Sequence, residues 1–390
     1  WPMSGNDRVV VVGGGHAGLL MGLALAGHGI EVRVVEPMAP AAIRKAPPDG
    51  RTLALLAGSI LQLEGLGLWG PLAPYGTPIR RVEVLDVGSA AKVDYREEDA
   101  PGPVPFGQGF ENRVLRQVLL DLFLERAGRR HLVTDRVSAI ERDATGITIR
   151  TEGGARLPAG LVIGADGRGS GLRKLAGIGL HRWSYGHSAL GFIVRHPVDN
   201  GGAVLERMRK GGPLATLPLR ADRTGITWVE TPERAKALAE GEPGQLLAEL
   251  DLALGHALGE LELDSPVGVW PLSGQHADRY VAPRLALVGD AAHGVHPIHA
   301  QGFNMGIADV AALVQLIAAR PDEPGSPDVL RAYERQRRGP NTRSIWLTHG
   351  LARLFTNELV PVTRARGAAL TLLDRLRPLR RFAIQRGMRT

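Results

Sequence analysis

Cysteine is missing from all 390 positions. Its absence excludes disulfides, thiolate nucleophiles and cysteine-bound metals. No uninterrupted apolar run approaches the 18 residues that would mark a membrane-spanning helix, and no secretory signal pattern opens the chain, so the cytoplasm is the expected compartment. Internal repeats and low-complexity tracts are also lacking, which removes solenoids and disordered scaffolds from consideration. Acidic residues nearly vanish after residue 361: eight arginines (364, 366, 375, 377, 380, 381, 386 and 389) face a single acid, Asp374.

That imbalance accounts for the net charge of +7 and leaves the remaining chain close to neutral. A neutral body argues against a broad nucleic-acid face. A cationic tail suits an anionic surface, either a membrane or a partner protein; a solvated helical face is the plainer alternative. Apolar residues make up 44% and charged residues 22%, an ordinary globular balance, and the length allows two or three domains.

Hydrophobic periodicity organises the chain. Arg8 to Val12 reads as a strand, Leu19 to Gly27 as a helix and Glu31 to Val35 as a second strand. Arg51 to Leu66 and Asn112 to Gly128 read as helices, and Leu161 to Gly164 as a strand. Alternating runs at 189–194, 214–219 and 225–229 read as a separate sheet. Helix is expected at 232–258 and 304–319 and strand at 267–272. From Tyr333 onward helices are expected to break at Pro340, Pro361 and Pro378.

Three strand-to-turn-to-helix junctions carry the chemistry. Gly13-x-Gly15-x-x-Gly18 lies between the first strand and helix, and Glu36 ends the next strand. Such glycines let a backbone approach a pyrophosphate, the helix start offers free N–H groups, and the acid suits ribose hydroxyls. Gly164-Ala-Asp166-Gly167 repeats the arrangement. The third junction, Leu285-Ala-Leu-Val-Gly289-Asp290-Ala-Ala-His293, leads to Pro297 and Gln301-Gly302-Phe303-Asn304. Two such turns far apart in sequence suggest one extended cofactor held at both ends. We read it as FAD, with the adenine half near residue 15 and the isoalloxazine near residue 300.

Through these motifs the chain resembles the single-component FAD-dependent aromatic hydroxylases of the p-hydroxybenzoate hydroxylase type, and most closely the ubiquinone-biosynthesis hydroxylase branch. The likeness covers nearly the whole chain. It extends to Arg51-Thr-Leu-Ala-Leu, Glu111-Asn112-Arg113-Val-Leu, Gly212-Pro213-Leu214-Ala215-x-Leu217-Pro218-Leu219, Leu354-Phe355-Thr356-Asn357 and the ending 372–382. The expected fold is α/β. A discontinuous Rossmann-like FAD-binding domain would comprise 1–80, 105–180 and 275–340. A mixed-sheet substrate domain, 81–104 and 181–274, would be inserted into it, with a C-terminal helical region at 341–390.

The resemblance implies that Asp290, after Gly289, binds the ribityl chain. It also implies that Gly302, Phe303 and Asn304, beyond Pro297, place helix N–H groups near flavin N1 and C2=O, where reduced flavin carries negative charge. Asp166 would orient the pyrophosphate region, and Arg51 and Arg113 would reach FAD phosphates or the adenosine half; for either arginine a surface ion pair is the alternative. NAD(P)H would act as a transient co-substrate, since no second glycine fingerprint is present. The expected reaction is hydroxylation of an electron-rich aromatic, a phenol or quinol, with NAD(P)H and O2 through a flavin C4a-hydroperoxide. The substrate would be small, hydrophobic and aromatic.

His299-Ala300 departs from the family pattern, where Ala-Gly is common. The imidazole suits polarising a substrate hydroxyl or filling space, so His299 is the catalytic candidate. His293, His296 and His299 have no convincing carboxylate companion for a metal, and none is expected. The six tryptophans never show the Trp-x-Trp spacing of flavin-dependent halogenases. Two alternatives stay open. One is a flavoprotein oxidoreductase acting on an isoprenoid or other hydrophobic substrate. The other is a non-catalytic flavin-binding subunit of a membrane-associated biosynthetic complex.

Overall fold

The computed structural model describes residues 8–100, 105–143, 146–357 and 359–387, the side chains of His299 and Arg386 excepted. Its first layer is a six-stranded sheet in the order Val281–Ala282, Leu285–Leu287, Leu161–Gly164, Val9–Val12, Val32–Val35, Leu132–Val133. The strands from Leu285–Leu287 to Leu132–Val133 run parallel, and Val281–Ala282 is antiparallel at the edge. Val9–Val12 and Leu161–Gly164 are buried throughout, as continuous apolar strands covered on both faces must be.

Helices His16–Gly27, Asn112–Arg126 and Gln301–Ala318 pack around this sheet and one another. By length and composition Gln301–Ala318 could cross a membrane, but 61% of it is buried against protein. Its neighbours are His16–Gly27, Ala57–Gly65 and Pro327–Phe355. It is a core helix, apolar because it is enclosed.

The second layer is a nine-stranded mixed sheet. Its order is His293–Gly294, Gly268–Ala277, Leu180–Arg195, Arg223–Glu230, Gly212–Pro218, Ala203–Arg209, Arg81–Asp86, Ala91–Arg96, with Glu262–Leu263 beside Leu180–Arg195. Alternation sorts its side chains. Leu190, Phe192, Leu214, Ile226 and Trp228 meet Leu246, Leu250 and Leu254 of the covering helix Pro243–Leu254, whereas Ala215, Leu217, Thr227 and Val229 face a large cavity.

Three expectations change. Arg51–Leu66 is not one helix: Thr52–Leu56 is a strand paired antiparallel with Gly107–Glu111, and the helix begins at Ala57. The apolar run Thr-Leu-Ala-Leu-Leu suits either state, and a partner strand distant in sequence decides it. The segment 232–258 is two helices, Pro232–Glu240 and Pro243–Leu254, because Pro243 starts a new one. Pro340 does not break Pro327–Phe355. The hydrogen bond it forfeits is offset by Arg337 and Asn341, which anchor that turn to buried Asp309 at 2.9 Å each. Pro361 and Pro378 sit in the first turns of Val360–Arg375 and Arg377–Gly387.

These last two helices lie on the sheet rather than trailing from it. Arg366 is buried and grips Asp86 through two 2.9 Å bonds. Arg377 and Arg380 reach Asp99 at 3.2 and 2.8 Å. Ile384 packs with Ala54, Ile79, Phe106 and Val204. Three of the eight tail arginines thus neutralise acids of the body.

Candidate functional site

A cavity of about 1720 Å³ runs between the two sheets. One end is the first glycine turn. Gly13 has φ of +107°, and a Cβ there would lie 2.4 Å from the Ala165 carbonyl oxygen. A Cβ on Gly18 would strike the Gly13 carbonyl oxygen at 1.8 Å; this glycine lets helix and turn touch. At Gly15, by contrast, a Cβ would meet nothing within 4 Å among the described residues, and that open space belongs to the cavity. Gly15, His16 and Ala17 bring the start of His16–Gly27 to the same wall, so free helix N–H groups and a positive dipole end meet space wide enough for phosphate.

Glu36 lines this end and is buried. Its Oε2 accepts the Gly14 N–H at 2.8 Å, its Oε1 accepts the Met38 N–H at 2.9 Å, and the Arg116 guanidinium stands 3.3 Å away. The carboxylate is fixed in orientation and keeps lone pairs for a ribose hydroxyl. Arg113 needs correction. It is held by Glu111 and the Ala46 carbonyl, each at 3.5 Å, and stays out of the cavity wall. Arg116, one turn beyond Asn112, shares that residue's helix face and lines the cavity, whereas residue 113 is turned about 100° away. Arg51 does line it, while paired with Asp49 at 2.6 Å and lying over Trp270.

His16 donates a ring N–H to the Asn112 carbonyl across 2.9 Å. Burial pushes its pKa down to about 4, against the raising effect of that bond. It is therefore neutral at pH 7 and adds no charge beside the glycine turn.

Asp166 organises the second junction. Its Oδ1 accepts the Ser170 hydroxyl at 2.5 Å and its Oδ2 the Leu172 N–H at 3.0 Å. Arg168, in the same turn, reaches Asp290 at 3.4 Å, the Ser273 carbonyl at 2.8 Å and the Val295 carbonyl at 3.1 Å. It couples the second junction to the third.

In the third junction Gly289 has φ of +57° and donates its N–H to Asp309 at 3.0 Å. Asp290, Pro297, Gly302 and Phe303 line the cavity. The Asn304 side chain does not. It is buried, accepts the Leu56 N–H at 2.9 Å and donates to the Ala54 and Ala300 carbonyls at 2.8 and 2.7 Å, clamping the strand Thr52–Leu56 to the helix start. His293 is fully buried with Nε2 2.6 Å from Asp309. His296 lines the cavity edge-on to Tyr185. Burial, helped by His187, lowers its pKa to about 4. The His299 backbone falls in a 3-10 turn; its side chain lies outside the described residues. Ala300 adopts left-handed φ of +51°, a conformation that glycine takes without strain.

Sequence reasoning missed Arg116, Arg168, Arg136 and the cavity-facing residues of Ala203–Arg209. Arg116 had a usable signal in its four-residue spacing from Asn112. The donor set fits FAD: a glycine cradle and helix start at one end, a carboxylate for ribose, and a second helix start at the other end of one continuous cavity.

A family model described as FAD binding domain matches residues 7–344. The chain is similar to the ubiquinone hydroxylase UbiL of Rhodospirillum rubrum, 36% identical over 100% of this chain and 92% of the relative. It is also similar to the 3-demethoxyubiquinol 3-hydroxylase of Escherichia coli, 34% identical over 97% of each chain. Among solved structures it resembles the p-nitrophenol 4-monooxygenase PnpA of Pseudomonas putida, with a TM-score of 0.81, 19% identity and 97% of each chain covered; that likeness is one of fold.

Proposed function

The chain belongs to the FAD binding domain family, and from that premise we propose that it is an FAD-dependent aromatic monooxygenase acting on a phenol or quinol with an apolar substituent. The observation that carries this is continuity: the cavity that begins at Gly13–Gly15 passes the start of Gln301–Ala318 and continues as an apolar arm along the nine-stranded sheet. Bound FAD would supply the redox chemistry, taking a hydride from NAD(P)H and passing one oxygen atom of O2 to the ring.

The chain's own residues do the rest. Gly15 and the start of His16–Gly27 would hold the pyrophosphate, and Glu36, steadied by Arg116, would take the ribose. The N–H groups at 302–304, at the start of Gln301–Ala318, would stabilise negative charge on the ring system. Val82, Val84, Val204, Met208, Leu217 and Ile298 wall the arm with hydrocarbon and keep water from the reacting oxygen. The UbiL and E. coli relatives act on ubiquinone-type rings by name, which supports a prenylated ring as the substrate class. His299, whose backbone lies in the turn before Gln301–Ala318, would be a further contact for the substrate.

Aerobic NAD(P)H oxidation by the FAD-loaded protein, across phenols from soluble to prenylated, tests the reading. A product heavier by one oxygen atom is expected. A product differing by two hydrogens, or no stimulation by any phenol, would overturn it.

We also propose that the outer face of the two C-terminal helices rests on an anionic bilayer. Leu372, Leu376, Leu379 and Phe382 are 41–59% exposed, and Arg364, Arg375 and Arg381 are exposed on the same two helices, a pattern suited to the headgroup boundary. Deleting 362–390 is a poor test, because it would strand buried Asp86. The double variant Leu379→Ser/Phe382→Ser is expected to keep its FAD and lose binding to vesicles containing an anionic phospholipid. Equal binding by both proteins, or binding insensitive to salt, would refute the idea.

A further inference from the structure

The sheet wall facing the cavity is mostly apolar, with the hydroxyls of Tyr95, Thr216 and Thr227 and, among the described residues, a single charged group. In the strand Ala203–Arg209, Val204, Glu206 and Met208 point into the cavity. Arg207 points to the other face, where it pairs with Glu83 at 2.9 Å. Glu206 sits in register between Val84 on one neighbouring strand and Ala215 on the other, so neither cross-strand neighbour offers a charge or a donor. Among the described residues, no other charged side chain of this sheet lines the cavity, and Glu206 Oε2 is buried with no hydrogen-bond partner.

A buried carboxylate oxygen without a donor is destabilising, at a position where alternation calls for another valine or leucine. An unsatisfied group of this kind calls for a physical reason, and a ligand that completes it is one. The neighbours of Glu206 locate that ligand. Val204 packs in one cluster with Ala300 and Ile384, and Met208 in another with Val84 and Ile298. Glu206 thus stands between two residues that pack against the loop leading into Gln301–Ala318, the loop that would border the flavin. Tyr95, two strands away, is the other titratable group on this wall. Its pKa is pushed up to about 12 by burial, with the charge of Glu206 adding to it, which places the two side chains in one electrostatic environment.

We infer that Glu206 is the acceptor for a ring hydroxyl of the substrate, seating a phenolic or quinolic ring between the sheet and residues 298–300. The inference rests on the monooxygenase reading and names the residue that activates its substrate. Oε2 accepts the hydroxyl O–H. As the ring carbon ortho or para to that hydroxyl forms its new C–O bond and the O–O bond derived from O2 breaks, the proton passes to Oε2 and the hydroxyl oxygen becomes a carbonyl. Loss of hydrogen from the attacked carbon, and return of the proton from Glu206, restore an aromatic diol. The two electrons of NAD(P)H reduce the second oxygen atom of O2 to water, which closes the balance.

The test uses FAD-loaded wild type, Glu206→Gln and Glu206→Asp. Product formation and product per NAD(P)H are measured alongside the binding of 4-nitrophenol, whose phenolate absorbs in the visible, across pH. Glu206→Gln is expected to keep its FAD but to lose about 100-fold or more in product formation while still consuming NAD(P)H; Glu206→Asp recovers part of it. The carboxylate disfavours a neighbouring phenolate, so bound nitrophenol should titrate about one pH unit higher in wild type than in Glu206→Gln. Tyr95, His296 and Arg343, which line the cavity from neighbouring elements, are common to both proteins and cancel in that difference.

Product formation within about threefold of wild type in Glu206→Gln, together with equal midpoints, overturns the assignment. So does the absence of saturable nitrophenol binding to wild type. If wild type binds nitrophenol yet hydroxylates no phenol, the activity reading fails, and the midpoint comparison still decides the role of Glu206.

Discussion

Replacing Asp309 by Asn should cost the fold on the order of 3 kcal/mol and loosen the cofactor turn. Asp309 is wholly buried and accepts four hydrogen bonds: Gly289 N–H at 3.0 Å, His293 Nε2 at 2.6 Å, and Arg337 Nε and Asn341 Nδ2 at 2.9 Å each. Asparagine keeps one carbonyl oxygen but removes the charge opposite Arg337, itself buried. Breaking one side of a buried pair typically costs ~3–5 kcal/mol, most of it from the stranded partner. Burial alone would raise the Asp309 carboxyl; His293 and Arg337 outweigh it and hold the group below its ordinary value. A carboxyl held low stabilises the fold above its unfolded pKa and loses that contribution as pH falls through the folded one. The stability gap between wild type and variant should therefore be full at pH 7 and narrow as pH is lowered below about 4. Thermal unfolding at several pH values, read with the flavin absorbance per protein, measures both effects. The double variant Asp309→Asn/Arg337→Met should recover much of the loss, since no charge is then stranded. A loss under about 1 kcal/mol at pH 7, or a double variant no better than the single, would refute the argument.

Three further outcomes are expected. Gly13→Ala should yield protein without FAD, because its Cβ would sit 2.4 Å from a backbone oxygen at a φ of +107°; a normal flavin spectrum would contradict this. Ala300→Gly should raise stability by about 0.5–1 kcal/mol, the relief of left-handed strain less the entropy that glycine gives the unfolded chain; an unchanged or lower unfolding midpoint would count against strain there. Arg366→Ala leaves buried Asp86 without its counter-ion, so limited proteolysis within 359–387 should quicken by about tenfold or more, with cuts spread evenly over the chain as the contrary result.

The cofactor end was legible because its physics is local. A strand, a glycine turn and a helix start are contiguous in sequence, and Gly13, Gly15, Glu36, Asp290 and Gly302 stand on the cavity wall. What escaped reading depends on partners far away. Thr52–Leu56 became a strand because Gly107–Glu111 lies beside it, and Asn304 became a clamp because Ala54 and Leu56 come within reach. The tail arginines looked uniformly free, yet Arg366, Arg377 and Arg380 each find an acid about 280 positions earlier. Glu206 gave no signal at all: one acid in an amphipathic strand reads as a solvent-facing residue until the register shows which face is dry.

The strand order of the six-stranded sheet also sets a schedule for synthesis. Leu161–Gly164 is flanked by Val9–Val12 on one side and Leu285–Leu287 on the other, and the far wall of the cofactor cavity is made by residues 289–303. During translation the N-terminal glycine turn emerges early but has no opposite wall. Leu287 follows Gly164 by 123 residues, and at about 5–20 residues per second roughly 6–25 s separate the two strands. For that interval one edge of the central strand is unpaired, a liability in any exposed sheet. A nascent chain therefore needs that edge shielded until residues 285–287 arrive, and the cofactor can be enclosed only after residues 289–303 have followed.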